Sequence, residues 1–337
     1  MKRKLSKASA SVVRARVPAS IANLGPGFDV HSIALQDPSI EVELSIAARD
    51  SRSIQVEGIY AKEVNTDPSI NAAGKALKAM FLEFGRPEGY ALRIKSNIPP
   101  RKGLGLSGAE AVGAVLCVNR MFNVGLKGRV IVNLAAKAEP SQHMDNVSAS
   151  ALGGFNIVSR TPFGELQIIT IRPPRDLGVA VLVPDIEKVS TEATRQLLPS
   201  SVPRQTHVQS MSYISRISAA FAKGDVRAIL DTLPWDMVVE PARADGGAYG
   251  ARINALFLQE EKKLLLERFH VAETISGAGP SRALWYSVSE DSGRRRNNKV
   301  GLIKPAIDLV SNRLESLGHK VREVFLTKPS AKGAEIT

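Results

Sequence analysis

The chain has 337 residues, 44% of them hydrophobic and 23% charged, and a single cysteine, which excludes a disulfide-rich scaffold and predicts one large or two medium globular domains. No apolar run is long enough to span a membrane and the basic N-terminus precedes no apolar segment, so we expect a cytoplasmic protein without a signal peptide or membrane anchor. The net charge of +12 suits nucleic-acid binding or an enzyme of anionic substrates, and the short basic runs without interleaved aromatic residues favour the enzyme and predict no nucleic-acid partner.

The first half of the chain mixes strands and helices in an irregular order. Short apolar or alternating stretches predict strands at 12–17, 40–46, 90–95 and 155–158. Longer stretches predict helices at 70–84, 107–122, 130–138 and 145–152.

The run Arg172-Pro173-Pro174-Arg175 is the best boundary, so we expect an N-terminal domain at 12–172 and a C-terminal domain at 173–330. Beyond it, strands are predicted at 178–183, 271–276, 283–288 and 320–326. Helices are predicted at 190–198, 205–222, 225–233 and 306–317, and a mobile loop at 289–298. The irregular order indicates an α+β fold and not a doubly wound parallel sheet.

A glycine-rich turn, Ile98–Ala111, runs directly into a helix of small residues. Gly103 and Gly105 allow positive φ and let backbone N–H groups approach a ligand closely. The first N–H groups of the helix, near Ser107, have no partner inside it, so the turn is a candidate phosphate cradle; a plain strand-to-helix turn is the alternative. Ser107 can offer a hydroxyl to a magnesium ion, and Lys102 can lean over phosphate charge.

Two further segments, Val17–Val30 and Ile275–Ser281, complete a pattern with the glycine-rich turn. In this order the three segments resemble the three signature motifs of the GHMP kinases, a family that includes galactokinase, homoserine kinase, mevalonate kinase and phosphomevalonate kinase. The stretch Ala22-Asn23-Leu24-Gly25-Pro26-Gly27-Phe28-Asp29 is most similar to the homoserine kinase branch. The similarity extends from about Val13 to Lys328.

This resemblance implies a two-lobed α+β GHMP kinase fold. Its N-terminal half is a nucleotide-binding βαβ structure with a left-handed crossover, its C-terminal half is ferredoxin-like, and the active site lies between them. The resemblance also implies ATP and Mg²⁺ as cofactors and a small-molecule acceptor, and it leaves a monomer and a homodimer open. The nucleotide site implied by the family comprises Asn71, Gly103, Leu104, Gly105, Ser107, Gly108, Ala109, Gly277 and Gly279. Asn71 can alternatively be only the N-cap of its helix.

Metal binding and catalysis are implied for a second group of residues. Ser107 and Glu139 match the family's magnesium ligands, although the segment from Glu139 to Asp145 is shorter than in typical homoserine kinases, and a surface glutamate is the alternative. Asp145 and Asn146 resemble the Asp-Asn pair with which that branch orients the acceptor hydroxyl. Asp145 can also act as a base or only cap the following helix. Lys102 completes the predicted catalytic set.

A zwitterionic acceptor such as homoserine needs hydrogen-bond acceptors for its ammonium group and donors for its carboxylate. Asn23 and Asp29 match the family's ligands of the amino group. Arg195 and Arg243 match its carboxylate ligands, and Thr191 lies near the same pocket. The resemblance therefore favours phosphorylation of L-homoserine to O-phospho-L-homoserine, a step of threonine biosynthesis.

Three residues depart from the family pattern. Arg101 stands where a glycine is common, Leu106 where the first of two serines is usual, and Val239 where a histidine is usual. These departures leave two alternatives open: a mevalonate-pathway kinase such as mevalonate-3-phosphate 5-kinase, and a catalytically degenerate metabolite-binding regulator. Asp29 argues against the first, because a carboxylate suits an ammonium group and not an anionic acid.

Overall fold

The structure, a computed structural model, describes residues 8–48, 51–85, 89–139, 142–187, 190–295 and 302–337. The strands are β1 (Val12–Asn23), β2 (Gly27–Ala47), β3 (Arg52–Glu57), β4 (Gly89–Ser96), β5 (Phe155–Arg160), β6 (Leu166–Ile171), β7 (Leu177–Pro184), β8 (Ala272–Ile275), β9 (Arg282–Ser287), β10 (Val321–Thr327) and β11 (Glu335–Ile336). The helices are α1 (Ala72–Phe84), α2 (Leu106–Met121), α3 (Arg129–Ala136), α4 (Asp145–Leu152), α5 (Thr191–Gln196), α6 (Arg204–Lys223), α7 (Val226–Thr232), α8 (Val239–Asp245), α9 (Ala255–Phe269), α10 (Val288–Arg295) and α11 (Ile303–Ser316). Within these ranges, no helix is both long and apolar enough to cross a membrane.

The long strand β2 is the centre of the first sheet, whose strand order is β11-β1-β2-β4-β3, with β5 pairing with both β2 and β6. Val42 pairs with Ala15 of β1 on one side and with Ile94 of β4 on the other. β3 runs parallel to β4 with α1 between them, which is a βαβ unit of the kind that the family resemblance implies. α2 packs directly on β1 and β2. The close approach needs a glycine at position 113, because a Cβ atom there would lie 2.5 Å from Val42 Cγ2.

The second sheet is antiparallel, with the order β10-β7-β9-β8, and every residue of β7 is buried. Successive side chains of a strand point to opposite faces. Val179 and Val181 therefore join the core of the first sheet, while Ala180 and Leu182 join a second core that α9 and α11 help to form. β7 therefore contributes to both cores, so the two cores do not by themselves separate two domains. The predicted domain boundary at residues 172–173 stays a prediction.

After β10, the chain returns to the first sheet through a segment that we call the tail, residues 328–337. Its strand β11 pairs with β1, where Ile336 lies opposite Ala15. The Gly154 N–H donates to the Ser330 carbonyl over 2.7 Å, and a Cβ at Gly153 would lie 2.3 Å from the Lys332 carbonyl carbon. The tail thus braces the end of α4 against the first sheet.

The prediction of a mobile loop at 289–298 is wrong over the part that the structure describes, because helix α10 covers Val288–Arg295. Residues 296–298 lie outside the described ranges. Asp176 explains the helix: its carboxylate accepts hydrogen bonds from the Ser289 N–H at 2.7 Å and from the Ser287 hydroxyl at 2.7 Å. This cap comes from far along the chain, so no local pattern around residue 289 could reveal it.

Candidate active site

A cleft of about 580 Å³ brings the three predicted motifs together. The chain segments that line it come from the first sheet, from the turn before α2, from the start of α4 and from α5, α8 and the loop after β8. Most predicted site residues are among its lining: Asn23, Asp29, Asn71, Gly103, Leu104, Gly105, Ser107, Glu139, Asp145, Asn146, Arg195, Arg243 and Gly277. The described lining does not include Lys102, Gly108, Ala109, Thr191 or Gly279.

The predicted phosphate loop ends at Gly105, which has φ 69° and is the N-cap of α2. Gly105 has no side chain that could cap the helix, so the N–H groups of the first turn stay open to a ligand. Gly108 and Ala109 lie within this first part of α2, behind the loop. The arrangement has the features of an anion site at a helix N-terminus, with the Ser107 hydroxyl at its edge.

The phosphate loop packs against the third motif through backbone contacts. The Ser276 hydroxyl donates to the Gly103 carbonyl over 2.8 Å. A Cβ atom at Gly103, where φ is 79°, would lie only 2.0 Å from the Ser276 carbonyl oxygen. Gly277 in turn donates to the Ala22 carbonyl over 3.1 Å, so the first motif joins the same contact. Gly279 faces the Tyr249 ring instead of the cleft.

Gly103→Ala should therefore disrupt the loop, whereas Gly125→Ala is a matched control. Both glycines have φ 79°, but a Cβ at Gly125 meets no atom within 4 Å. We expect Gly125→Ala to cost about 1 kcal/mol of unfolding free energy from left-handed backbone strain. Gly103→Ala should cost about 3 kcal/mol, because strain and a backbone clash add, and should weaken ATP binding about tenfold. Denaturant unfolding and calorimetric titration with ATP would measure both; equal losses in the two variants would contradict the close approach.

The structure does not bring the Lys102 ammonium group into the cleft. Its Nζ atom donates to the Pro184 carbonyl over 3.0 Å and to the Ile186 carbonyl over 2.6 Å, at the end of β7. Burial lowers the pKa of Lys102. The side chain thus ties the phosphate loop to the second sheet, and its neighbour Arg101 lines the cleft in its place.

Opposite charges meet on the acceptor side of the cleft. Arg195 donates from one terminal nitrogen to both carboxylate oxygens of Asp29, over 2.6 and 2.7 Å. His143 Nδ1 lies 2.8 Å from the same nitrogen and 3.6 Å from Asp29 Oδ1. Burial acts to raise the pKa of Asp29, but the hydrogen bonds from His143 and Arg195 together outweigh it and leave this pKa below its ordinary value.

A second arginine, Arg243, approaches the same place from α8 and is only 2% exposed. Its guanidinium carbon and that of Arg195 each lie 5.1 Å from the centre of the Phe28 ring. Asn23 Nδ2 donates to the Gly277 carbonyl over 2.8 Å, while Asn23 Oδ1 accepts from the Asp29 N–H over 3.1 Å. One carboxylate and two guanidinium groups therefore share a small pocket, which is the arrangement that a zwitterion requires.

Thr191, the remaining predicted acceptor-site residue, is the first residue of α5, whose N-cap Ser190 accepts a hydrogen bond from the Ala193 N–H.

Asp145 and Asn146 begin α4 at the bottom of the cleft. Asp145 Oδ1 accepts from the Asn146 N–H over 2.8 Å, and burial raises the pKa of this carboxyl group. The Asn146 side chain donates to the Ser20 hydroxyl over 3.0 Å. The N-cap of α4 is Met144, so Asp145 is not the predicted cap; among the described residues, its carboxylate bonds only to the N–H of the next residue, and it lies at the cleft. Its role as a base stays a prediction.

The predicted metal ligands Ser107 and Glu139 both line the cleft. Asn71 lines it too, but its side chain has structural partners. Its Oδ1 atom accepts from the Ala73 N–H over 2.8 Å, so Asn71 is the N-cap of α1, and its Nδ2 atom donates to the Asn65 carbonyl over 3.0 Å. Its role in nucleotide binding stays a prediction.

Sequence reasoning missed Glu110, which lies on α2 and is 4% exposed at the cleft wall. Asn71 Nδ2 donates to Glu110 Oε2 over 3.3 Å. Burial raises the pKa of Glu110 to about 8, the bond from Asn71 acts against this, and the charge of Glu139 adds to it. The signal in the sequence was a lone acid in a helix of small apolar residues, three positions after Ser107.

Residues 71–154 match the sequence model of a protein family, the GHMP kinases N terminal domain. Homoserine kinase from Pyrococcus abyssi is 32% identical over 258 residues, which are 72% of this chain and 84% of that enzyme. Homoserine kinase from Thermoplasma volcanium is 34% identical over 276 residues, or 80% and 82% of the two chains.

Solved structures share the fold. Homoserine kinase from Cytophaga hutchinsonii has a TM-score of 0.78 and 22% identity, with 98% of this chain and 99% of that chain covered. Mevalonate pyrophosphate decarboxylase from Streptococcus pyogenes has a TM-score of 0.66 and 14% identity over 94% and 96% of the two chains. These neighbours confirm the predicted α+β fold.

Proposed function

Because the chain belongs to the homoserine kinase branch of the GHMP kinases, we propose that it transfers the γ-phosphoryl group of ATP to the hydroxyl of L-homoserine, giving ADP and O-phospho-L-homoserine. The observation that carries the proposal is the Asp29–Arg195 ion pair beside Arg243 in the cleft. The resemblance to this family in the sequence is confirmed by the relatives.

The ion pair matches both charges of the acceptor. The ammonium group of homoserine would bind Asp29 and Asn23, and its carboxylate would bind Arg195 and Arg243, so that each protein charge keeps a counter-charge when the pair separates. The Asp29 side chain is 39% exposed in the free protein. An acceptor with a carboxylate and no ammonium would cover it without supplying a full partner, which costs about 2–5 kcal/mol.

The nucleotide would bind at the open N-terminus of α2, with its phosphates over Gly103, Gly105 and Ser107. Oxygen ligands suit Mg²⁺, and Ser107 and Glu139 would hold it together with phosphate oxygens. When bound, the cation neutralises charge that develops on the transferred phosphoryl group.

Phosphoryl transfer depends mainly on positioning and charge stabilisation. We expect Asn146, which the Ser20 hydroxyl fixes, to orient the acceptor hydroxyl. Asp145 lies beside Asn146, and burial raises the pKa of its carboxyl group. In this proposal, its carboxylate is the candidate acceptor of the hydroxyl proton. In this proposal Lys102 does not contact the phosphates; it holds the loop that does.

The proposal is tested by ATP turnover with magnesium against a panel of acceptors. The panel comprises L-homoserine, 4-hydroxybutyrate, mevalonate, mevalonate 3-phosphate, mevalonate 5-phosphate and shikimate. We expect selective turnover of L-homoserine; 4-hydroxybutyrate, which lacks only the ammonium group, should lose at least about thirtyfold in kcat/KM.

Other outcomes would replace the proposal. Preference for a mevalonate phosphate would mean that the departures at Arg101 and Val239 set the specificity. ATP binding without turnover of any acceptor would support a metabolite-binding regulator. A cytoplasmic location and the lack of a nucleic-acid partner belong to the proposal as well. Sedimentation of the purified chain would distinguish the monomer from the homodimer, which the resemblance leaves open.

A further inference from the structure

Glu110 has one carboxylate oxygen that no described residue uses. It lies one helical turn after Ser107 on α2, so the two side chains share a face of the helix. Glu110 lines the cleft although only 4% of the residue is exposed. Oε2 accepts the bond from Asn71, whereas Oε1 accepts no hydrogen bond from any described residue.

A buried carboxylate oxygen without a partner is costly. The cost rises here because Glu139 lines the same cleft, and two like charges close together disfavour each other. The pKa of Glu110 is raised mainly by burial and in part by Glu139, in agreement with this proximity. A divalent cation between the two acids would relieve both penalties.

We propose that Glu110 is a third protein ligand of the divalent cation, with Ser107 and Glu139, in the nucleotide complex. The inference rests on the proposed function, because the remaining ligands would be nucleotide phosphate oxygens. Mg²⁺ is commonly held by one or two carboxylates together with phosphates. Among the described residues, no three His, Cys, Asp or Glu side chains could hold a metal by themselves, so the site should bind the cation well only when nucleotide is present.

A purely structural role for Glu110 is the competing explanation, because the residue connects α2 to Asn71 at the start of α1. Glu110→Gln separates the two roles. The glutamine carbonyl can still accept the bond from Asn71, but it lacks the charge that a metal ligand contributes. Without metal, the variant should melt at or above the wild-type temperature, because one of two neighbouring acids, the buried Glu110, has been neutralised.

The experiment measures binding of Mn²⁺ to the full chain by electron paramagnetic resonance, with and without a non-hydrolysable ATP analogue. We expect Glu110→Gln to raise the Kd for Mn²⁺ in the presence of the analogue at least about tenfold. Glu110→Asp, which keeps the charge on a shorter side chain, should bind Mn²⁺ more tightly than Glu110→Gln. Glu57→Gln, an exposed acid on β3 outside the cleft, is the control and should not change the Kd.

Two results would overturn the inference. If wild type binds Mn²⁺ with the analogue and Glu110→Gln binds it within twofold as tightly, Glu110 is not a ligand, although the proposed function stands. If wild type itself binds no Mn²⁺ with the analogue, the proposed nucleotide site fails together with the inference. Should Glu110→Gln not fold, Glu110→Asp is compared with wild type instead: its shorter side chain withdraws the carboxylate from the cation and should raise the Kd for Mn²⁺, and a Kd within twofold of wild type would overturn the inference.

Discussion

The Asp29→Asn variant should lose at least about thirtyfold in kcat/KM for L-homoserine while its fold is retained. The substitution removes the counter-charge of the substrate ammonium group and leaves Arg195, which donates to both Asp29 oxygens, without its partner. The Asp29 side chain is 39% exposed in the free protein, but the bound acceptor would cover it. Truncating one member of a covered, hydrogen-bonded charge pair costs about 2–5 kcal/mol, or about 30- to 4,000-fold. We expect most of this loss in KM, because the ammonium group is remote from the transferred phosphoryl group.

The measurement is a steady-state comparison of L-homoserine with 4-hydroxybutyrate. In the variant, the preference of the enzyme for homoserine should shrink, since the neutral amide that replaces the carboxylate no longer distinguishes the two acceptors by charge. Glu192→Gln is the control: it removes a negative charge from an exposed position of the helix that carries Arg195. Unchanged homoserine turnover in Asp29→Asn would refute the assignment of the acceptor pocket.

The second large effect concerns stability. Lys262→Met should lower the free energy of unfolding by about 3–5 kcal/mol, because it leaves Glu240 as a buried, uncompensated charge. Lys262 and Glu240 form an ion pair in which both side chains are nearly inaccessible, and Lys262 Nζ also donates to the Pro234 carbonyl over 3.0 Å. Glu240 Oε1 accepts from the Ile275 N–H over 2.9 Å, so the pair also holds the third motif.

The neighbouring residue supplies a matched control. Lys263 is 67% exposed and pairs with Glu267 at 3.9 Å, so Lys263→Met should change stability by less than about 1 kcal/mol. Denaturant unfolding of both variants tests the contrast. The double variant Lys262→Met with Glu240→Leu should recover part of the loss, because no unpaired charge remains. Similar losses at positions 262 and 263 would show that the pair is not buried in solution.

Local sequence signals predicted several of the elements that local interactions determine, but not α9, whose N-cap Asn254 is local. α4 begins at Asp145 as predicted, and Gly103 and Gly105 take the positive φ values that the glycine-rich turn required. Helix α8 was not predicted, because it is short and because Asp236, which lies before it, supplies the cap. Pro241 does not prevent the helix, since it lies in the first turn, where proline is tolerated.

The direction of a side chain was harder to predict than the position of its residue. Lys102 was predicted beside the phosphates, but two carbonyl groups at the end of β7, more than eighty positions along the chain, bind its ammonium group instead. Glu110 was overlooked because its significance depends on Asn71 and Glu139, which only the folded chain brings to the same cleft. Both cases depend on contacts between distant segments that no spacing in the sequence encodes.

The tail has a consequence for the order in which the protein folds. Until residues 328–337 have left the ribosome, β1 presents an unpaired edge, and unpaired edges invite association with other chains. The start of α4 holds Asp145, and the end of α4 depends on the tail, where the Ala334 N–H donates to the Ser150 carbonyl over 2.8 Å. We therefore expect the nascent chain to complete this part of the cleft only once the tail has emerged from the ribosome, so that a ribosome-bound chain lacking the tail would be the species most dependent on chaperones.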